Sequence, residues 1–153
     1  LMPERDAETA VLKEVKVTLR LEPEIEIEAC EKACAVAEGM RMSPDKVDEI
    51  RMAVIEACIN AVEHSSSRDG RLYLTLSVLG AKGKKVPTSL RIVVADRGTG
   101  FDPGKVVEPK IERKLHAANK RGWGLQIIEG LMDEVVIDSN DDGTAVVMSK
   151  RAR

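Results

Sequence analysis

Residues Val47 to Ser65, VDEIRMAVIEACINAVEHS, constrain this chain more than any other stretch. Ile50, Val54, Ala57 and Ala61 recur at helical spacing and predict one apolar stripe for a core. Glu56, Asn60 and His64 stand at i, i+4 and i+8, which stacks them on a second face about two turns long. Taken alone, such spacing describes any surface helix whose polar residues face water. The other reading is a helix with one face in a core and the adjacent face walling a site. Motifs elsewhere in the chain favour the second.

A length of 153 residues predicts one domain, and 43% hydrophobic residues suffice for one core. The formal net charge of -2 is not that of a non-specific nucleic-acid binder. Tyr73, Phe101 and Trp123 are the only aromatics, too few to stack single-stranded bases. Cys30, Cys34 and Cys58 sit in apolar helical patterns, and an odd count argues against a disulfide framework. Cys30 and Cys34 could share a metal at i, i+4, but two ligands without partners read better as small core residues. No apolar run reaches the ~20 residues that span a bilayer. The first residues, LMPERDAETA, lack a signal-peptide core. The expectation is a cytoplasmic protein with no membrane and no direct nucleic-acid contact.

Residues 1–10 are expected to be a flexible N-terminus and residues 11–153 a single domain. Val11 to Leu21 alternates as a half-buried strand. Pro23 is placed to open a helix that Gly39 closes. Ser43 and Pro44 then cap and start the central helix. Arg71 to Leu79 and Ser89 to Asp96 read as strands joined by the basic connection GAKGKKVP. Gly98 to Gly104 holds three glycines and a proline and predicts irregular backbone. Gly122 to Leu131 reads as a helix, and Glu134 to Ser139 and Thr144 to Lys150 as a hairpin around Asn140-Asp141-Asp142-Gly143. This order implies a two-layer α/β sandwich, with a mixed, mostly antiparallel sheet covered on one face by helices.

Three motifs carry chemistry. Asp96-Arg97-Gly98-Thr99-Gly100 ends a buried strand, where a carboxylate can accept from an exocyclic amine and glycines admit a flat ring. Gly122-Trp123-Gly124-Leu125 follows Lys120 and Arg121 and opens a helix, a place for an anion. Asp142-Gly143-Thr144 puts a hydroxyl at the entry of the last strand. The spacings of a P-loop and of a Rossmann fingerprint are both absent.

In this fixed order the motifs resemble those of the GHKL ATPases, whose ATP-binding unit is the Bergerat fold. That superfamily holds gyrase B, histidine-kinase catalytic domains and MutL. Glu56…Asn60-Ala61…His64 is similar to its N box, Asp96-x-Gly98-x-Gly100 and Gly122-x-Gly124-Leu125 to its glycine boxes, and Gly143-Thr144 to its last motif. The resemblance covers Val11 to Lys150. The phrases EACINAVEHS, ADRGTGFDP and GLQIIEGLMDEV are most similar to the RsbW-like anti-sigma factors, which are also serine-protein kinases. Trp123 departs from the more usual aliphatic residue between the second pair of glycines.

The resemblance implies ATP and Mg²⁺ as cofactors, with Asn60 as the metal ligand and Glu56 as general base. Asp96 would read adenine, Gly98 and Gly100 would line the base pocket, and Thr144 would sit behind it. Gly122, Gly124 and Leu125 would lie at the phosphates, under an ATP lid at about 101–121. His64 matches the last N-box position, near phosphate. The implied function is partner switching. The kinase phosphorylates a small STAS-type anti-anti-sigma antagonist and sequesters a sigma factor, as a homodimer. The alternatives are a non-enzymatic ATP-gated sequestering module and a stand-alone histidine-kinase-type catalytic domain.

Overall fold

Alternating Val15, Val17 and Leu19 turn one face of β1 (Thr9–Arg20) toward the core, as period-2 patterning requires. The computed structural model describes residues 9–64, 67–98 and 119–153, with the backbone alone described for His64 and residues 119–124. The order continues with α1 (Ile25–Gly39), α2 (Pro44–His64), β2 (Arg71–Ala81), β3 (Pro87–Asp96), α3 (Asn119–Leu131), β4 (Glu134–Asn140) and β5 (Gly143–Arg151). Residues 1–8 of the expected flexible N-terminus lie outside the described residues, as do 101–118 of the expected lid and Gly100. Thr9 and Ala10 belong to β1 because they pair with Ala81 and Gly80. Residues 119–121, the last of the expected lid, are helical and open α3.

The strand order is β1-β2-β3-β5-β4. All four described pairings are antiparallel, so the sheet is not mixed. The reason is the last hairpin. A strand–helix–strand crossover would lay β4 parallel beside β3, but the tight turn at Asn140–Gly143 inserts β5 between them. Helices cover one face. Leu72, Leu74, Leu76, Leu90, Ile92 and Met148 rise from the sheet to meet Ile50, Val54, Cys58 and Ile128. On the open face a groove of about 670 Å³ runs between Val11, Leu79, Arg91, Val136 and Val147.

Both ends of α1 differ from the sequence expectation. Pro23 lies in a turn, and Glu24 precedes the helix at φ 72°. Gly39 is the last helical residue, and Arg41 takes the left-handed position at φ 60°. The Arg41 N–H donates to the Glu38 carbonyl at 2.9 Å and the Met42 N–H to the Ala37 carbonyl at 3.2 Å, a Schellman closure. Ser43 caps α2 as expected, its Oγ accepting from the Lys46 N–H at 3.3 Å. All three cysteines are buried and free. Burial pushes the Cys30 thiol up to about 11 and the Cys58 thiol up to about 12, the behaviour of core residues.

Candidate functional site

Two sets of ties fix how α2 lies across the sheet. At its N-terminal end the Lys46 ammonium donates to the Arg151 carbonyl at 2.8 Å, and Glu49 pairs with Lys150 at 3.1 Å. Just beyond its C-terminal end, the Arg68 N–H donates to the Arg97 carbonyl at 2.8 Å. The Arg68 guanidinium donates to the Asp141 carbonyl, also at 2.8 Å. The helix therefore runs antiparallel to β5. Its Asn60 end lies toward the end of the sheet where Asp96 pairs with Thr144.

The same buried lysine places α3. Lys150 Nζ also donates to the carbonyl of Leu131, the last residue of α3, where a cation offsets the helix dipole. With its C-terminus held at the Glu49 end and its length packed along α2, α3 directs its first turns toward the Asn60 end. Gly122 and Gly124 lie inside those turns. The helix is already formed at Asn119, ahead of both glycines. Leu125 is a core residue, packed with Ile128.

Glu49, Glu56 and Asn60 fall within about 40° of one another at about 100° per residue. Glu49 reaches Lys150 beside Leu131, so this stripe is the flank of α2 turned toward α3. Glu56 and Asn60 are both half-buried there. The Asn60 Nδ2 is wholly buried and has no hydrogen-bond partner among the described residues. A buried polar group left unpaired costs about 1–3 kcal/mol. Such a group is accounted for when its partner is a ligand.

Leu72, Asp96 and Thr144 form one row across β2, β3 and β5 on the helix-facing side. Thr144 is 6% exposed, and its hydroxyl bonds that of Ser139 at 3.0 Å. Gly98 is buried just past the strand end. Gly143 has φ 148°, and a Cβ there would stand 2.0 Å from the Asp96 carbonyl oxygen. Only glycine lets β5 enter this close beneath Asp96.

Thus Asn60, Asp96, Gly98, Thr144 and the first turns of α3 converge on one end of the helical layer, with Glu56 one turn back. The groove on the open face lies on the other side of the sheet, at the opposite end of the strands, and contains none of these residues. Sequence reasoning missed Lys150, Gly143 as a close-approach glycine, and the Arg68 ties. Lys150 had a signal: it occupies the apolar parity of β5 with Val146 and Met148. The Arg68 ties join residues far apart in sequence and had none.

A family model described as a histidine kinase-like ATPase domain matches residues 19–150. The serine-protein kinase RsbW of Bacillus licheniformis is 34% identical over 122 residues, covering 75% of this chain and 71% of that protein. The serine-protein kinase RsbW of Bacillus cereus strain AH820 is 31% identical over 120 residues, covering 75% of this chain and 70% of that protein. Among solved structures, the RsbU and RsbW domains of a Mycobacterium tuberculosis protein share the fold with a TM-score of 0.65 at 19% identity. That likeness covers 92% of this chain and 33% of that one. By its motif order, its fold and these relatives, the chain belongs to the histidine kinase-like ATPase family, beside the RsbW serine-protein kinases.

Proposed function

We propose that this chain is an ATP-dependent serine-protein kinase and anti-sigma factor. It phosphorylates a serine on a small STAS-type anti-anti-sigma protein and sequesters a sigma factor when that antagonist is phosphorylated. The observation that carries the reading is the buried, unpaired Asn60 Nδ2 on the flank of α2 turned toward α3. An amide offers a carbonyl to a cation or an N–H to a phosphate oxygen, according to which way it is turned. It therefore fits a metal–triphosphate on either side. Mg²⁺ keeps most of its waters and takes few protein ligands, and when bound it offsets phosphate charge.

Each remaining residue has one task. Asp96 accepts from the exocyclic amine of adenine, and Gly98 and Gly100 let the ring lie against backbone. Thr144 closes the adenine end. Gly122 and Gly124 give the phosphates close access to backbone, and Leu125 anchors that turn in the core. Glu56, on the same flank as Asn60, takes the proton of the attacking serine hydroxyl. Phosphate on the antagonist then adds about two negative charges to its binding surface, which releases it. A homodimer in the cytoplasm completes the proposal.

The test is transfer from labelled ATP to a candidate antagonist, with wild type and Glu56→Gln compared. Wild type labels a serine. Glu56→Gln retains ATP binding and loses about 10²–10⁴ in transfer rate, the usual share of a general base. Equal transfer by both removes Glu56 as base. A labelled histidine indicates the histidine-kinase reading, and ATP binding without transfer the non-enzymatic module.

A further inference from the structure

Arg97 stands between Asp96 and Gly98 and points the opposite way. Asp96 shares the helix-facing row with Leu72, while Arg97, just past the strand end, reaches the open face that carries Tyr73. There its guanidinium lies 4.4 Å from the centroid of the Tyr73 ring. Tyr73 is held in turn, because its hydroxyl donates to the Asp69 carboxylate. Asp69 also accepts from the Ser67 hydroxyl and from the Arg71 N–H, each at 3.1 Å. The Tyr73 hydroxyl holds the Asp69 carboxyl below the usual carboxylate range, so the anchor is ionised at neutral pH.

The backbone of the same short segment is gripped as well. The Arg97 carbonyl accepts from the Arg68 N–H at 2.8 Å. A Cβ on Gly143 would stand 3.1 Å from the Arg97 Cα, so β5 passes close to this segment and leaves it no room for a side chain at that position. Arg68 reaches onward to the Asp141 carbonyl in the β4–β5 turn. Side chain and backbone of Arg97 are thus both tied, on the far side of the sheet from the Asp96 carboxylate.

We infer that Arg97, clasped by Tyr73 and Asp69, is a positioning residue that fixes the direction of the Asp96 carboxylate and so sets the preference for a 6-amino purine. This rests on the nucleotide reading above. Arg97 touches no part of the ligand in this proposal. It acts by removing the freedom of the segment that leaves β3. A hydrogen bond to one exocyclic amine depends steeply on the acceptor's direction. Base discrimination is therefore the property most sensitive to a loosened Asp96.

The experiment compares the affinities of MgATP and MgITP, which differ at the 6-position, for wild type, Arg97→Ala, Arg97→Lys, Tyr73→Leu and Tyr73→Phe. Thermal midpoints are measured in parallel. Wild type prefers ATP. Arg97→Ala and Tyr73→Leu lower the ATP/ITP ratio about fivefold with little change in midpoint. Arg97→Lys keeps a cation over the ring and retains most of the ratio, whereas Tyr73→Phe keeps the ring but loses its Asp69 anchor and falls between wild type and Tyr73→Leu. An unchanged ratio in Arg97→Ala overturns the proposal, and because Arg97 is exposed that variant folds even where Tyr73→Leu does not. Failure of wild type to bind ATP overturns the nucleotide reading itself and this proposal with it.

Discussion

A single amide bears most of the functional weight. Asn60 lies on the flank of α2 turned toward α3, and its Nδ2 is buried without a partner among the described residues. A side chain chosen for folding alone would be apolar there. Asn60→Leu is therefore expected to stabilise the nucleotide-free protein by about 1 kcal/mol, through relief of the unpaired group. Urea denaturation checks this, and the same variant is expected to gain no stability from MgATP. The position was legible in sequence as the middle of Glu56, Asn60 and His64. That it is unpaired was not, because pairing depends on the neighbours that three elements bring to one place. Arg97 was hidden for a related reason. It fills the variable place of a D-x-G-x-G motif, and its contact with Tyr73 forms only across the β2–β3 register.

At the scale of elements, turn chemistry decided where expectation and structure agree. Asn140-Asp141-Asp142-Gly143 forms the expected hairpin, with the Asn140 Oδ1 accepting from the Asp142 N–H at 2.7 Å. Ser43 and Pro44 start α2 where anticipated. The C-terminus of α1 went otherwise, since Gly39 invited the left-handed position and Arg41 occupies it. A side chain there costs about 1–2 kcal/mol against glycine. Arg41→Gly is accordingly expected to raise stability by about 1 kcal/mol, less the added freedom of the unfolded chain. The shift in thermal midpoint measures it. The sheet is wholly rather than mostly antiparallel, which local patterning did not reveal because it marks strands but not neighbours. Only the placement of β5 between β3 and β4 makes every described pair antiparallel.

Over the whole molecule, the two ends of the helical layer do different work. One end is locked by Lys46, Glu49 and Lys150, which tie α2 and α3 to the last strand. The other gathers Asn60, Asp96, Gly98 and Thr144, and its ties through Arg68 run between loops. Polar groups concentrated at one end, with a rigid anchor at the other, suit a site that admits a ligand while the frame stays fixed. On the proposed function, this end binds a magnesium nucleotide through Asn60. The most direct measurement is a calorimetric titration of MgATP into wild type and Asn60→Ala, with Trp123, the one tryptophan, as a fluorescence check. Wild type is expected to show a single saturable site and Asn60→Ala to lose at least about tenfold in affinity. Equal affinity in the two proteins would contradict that role of Asn60.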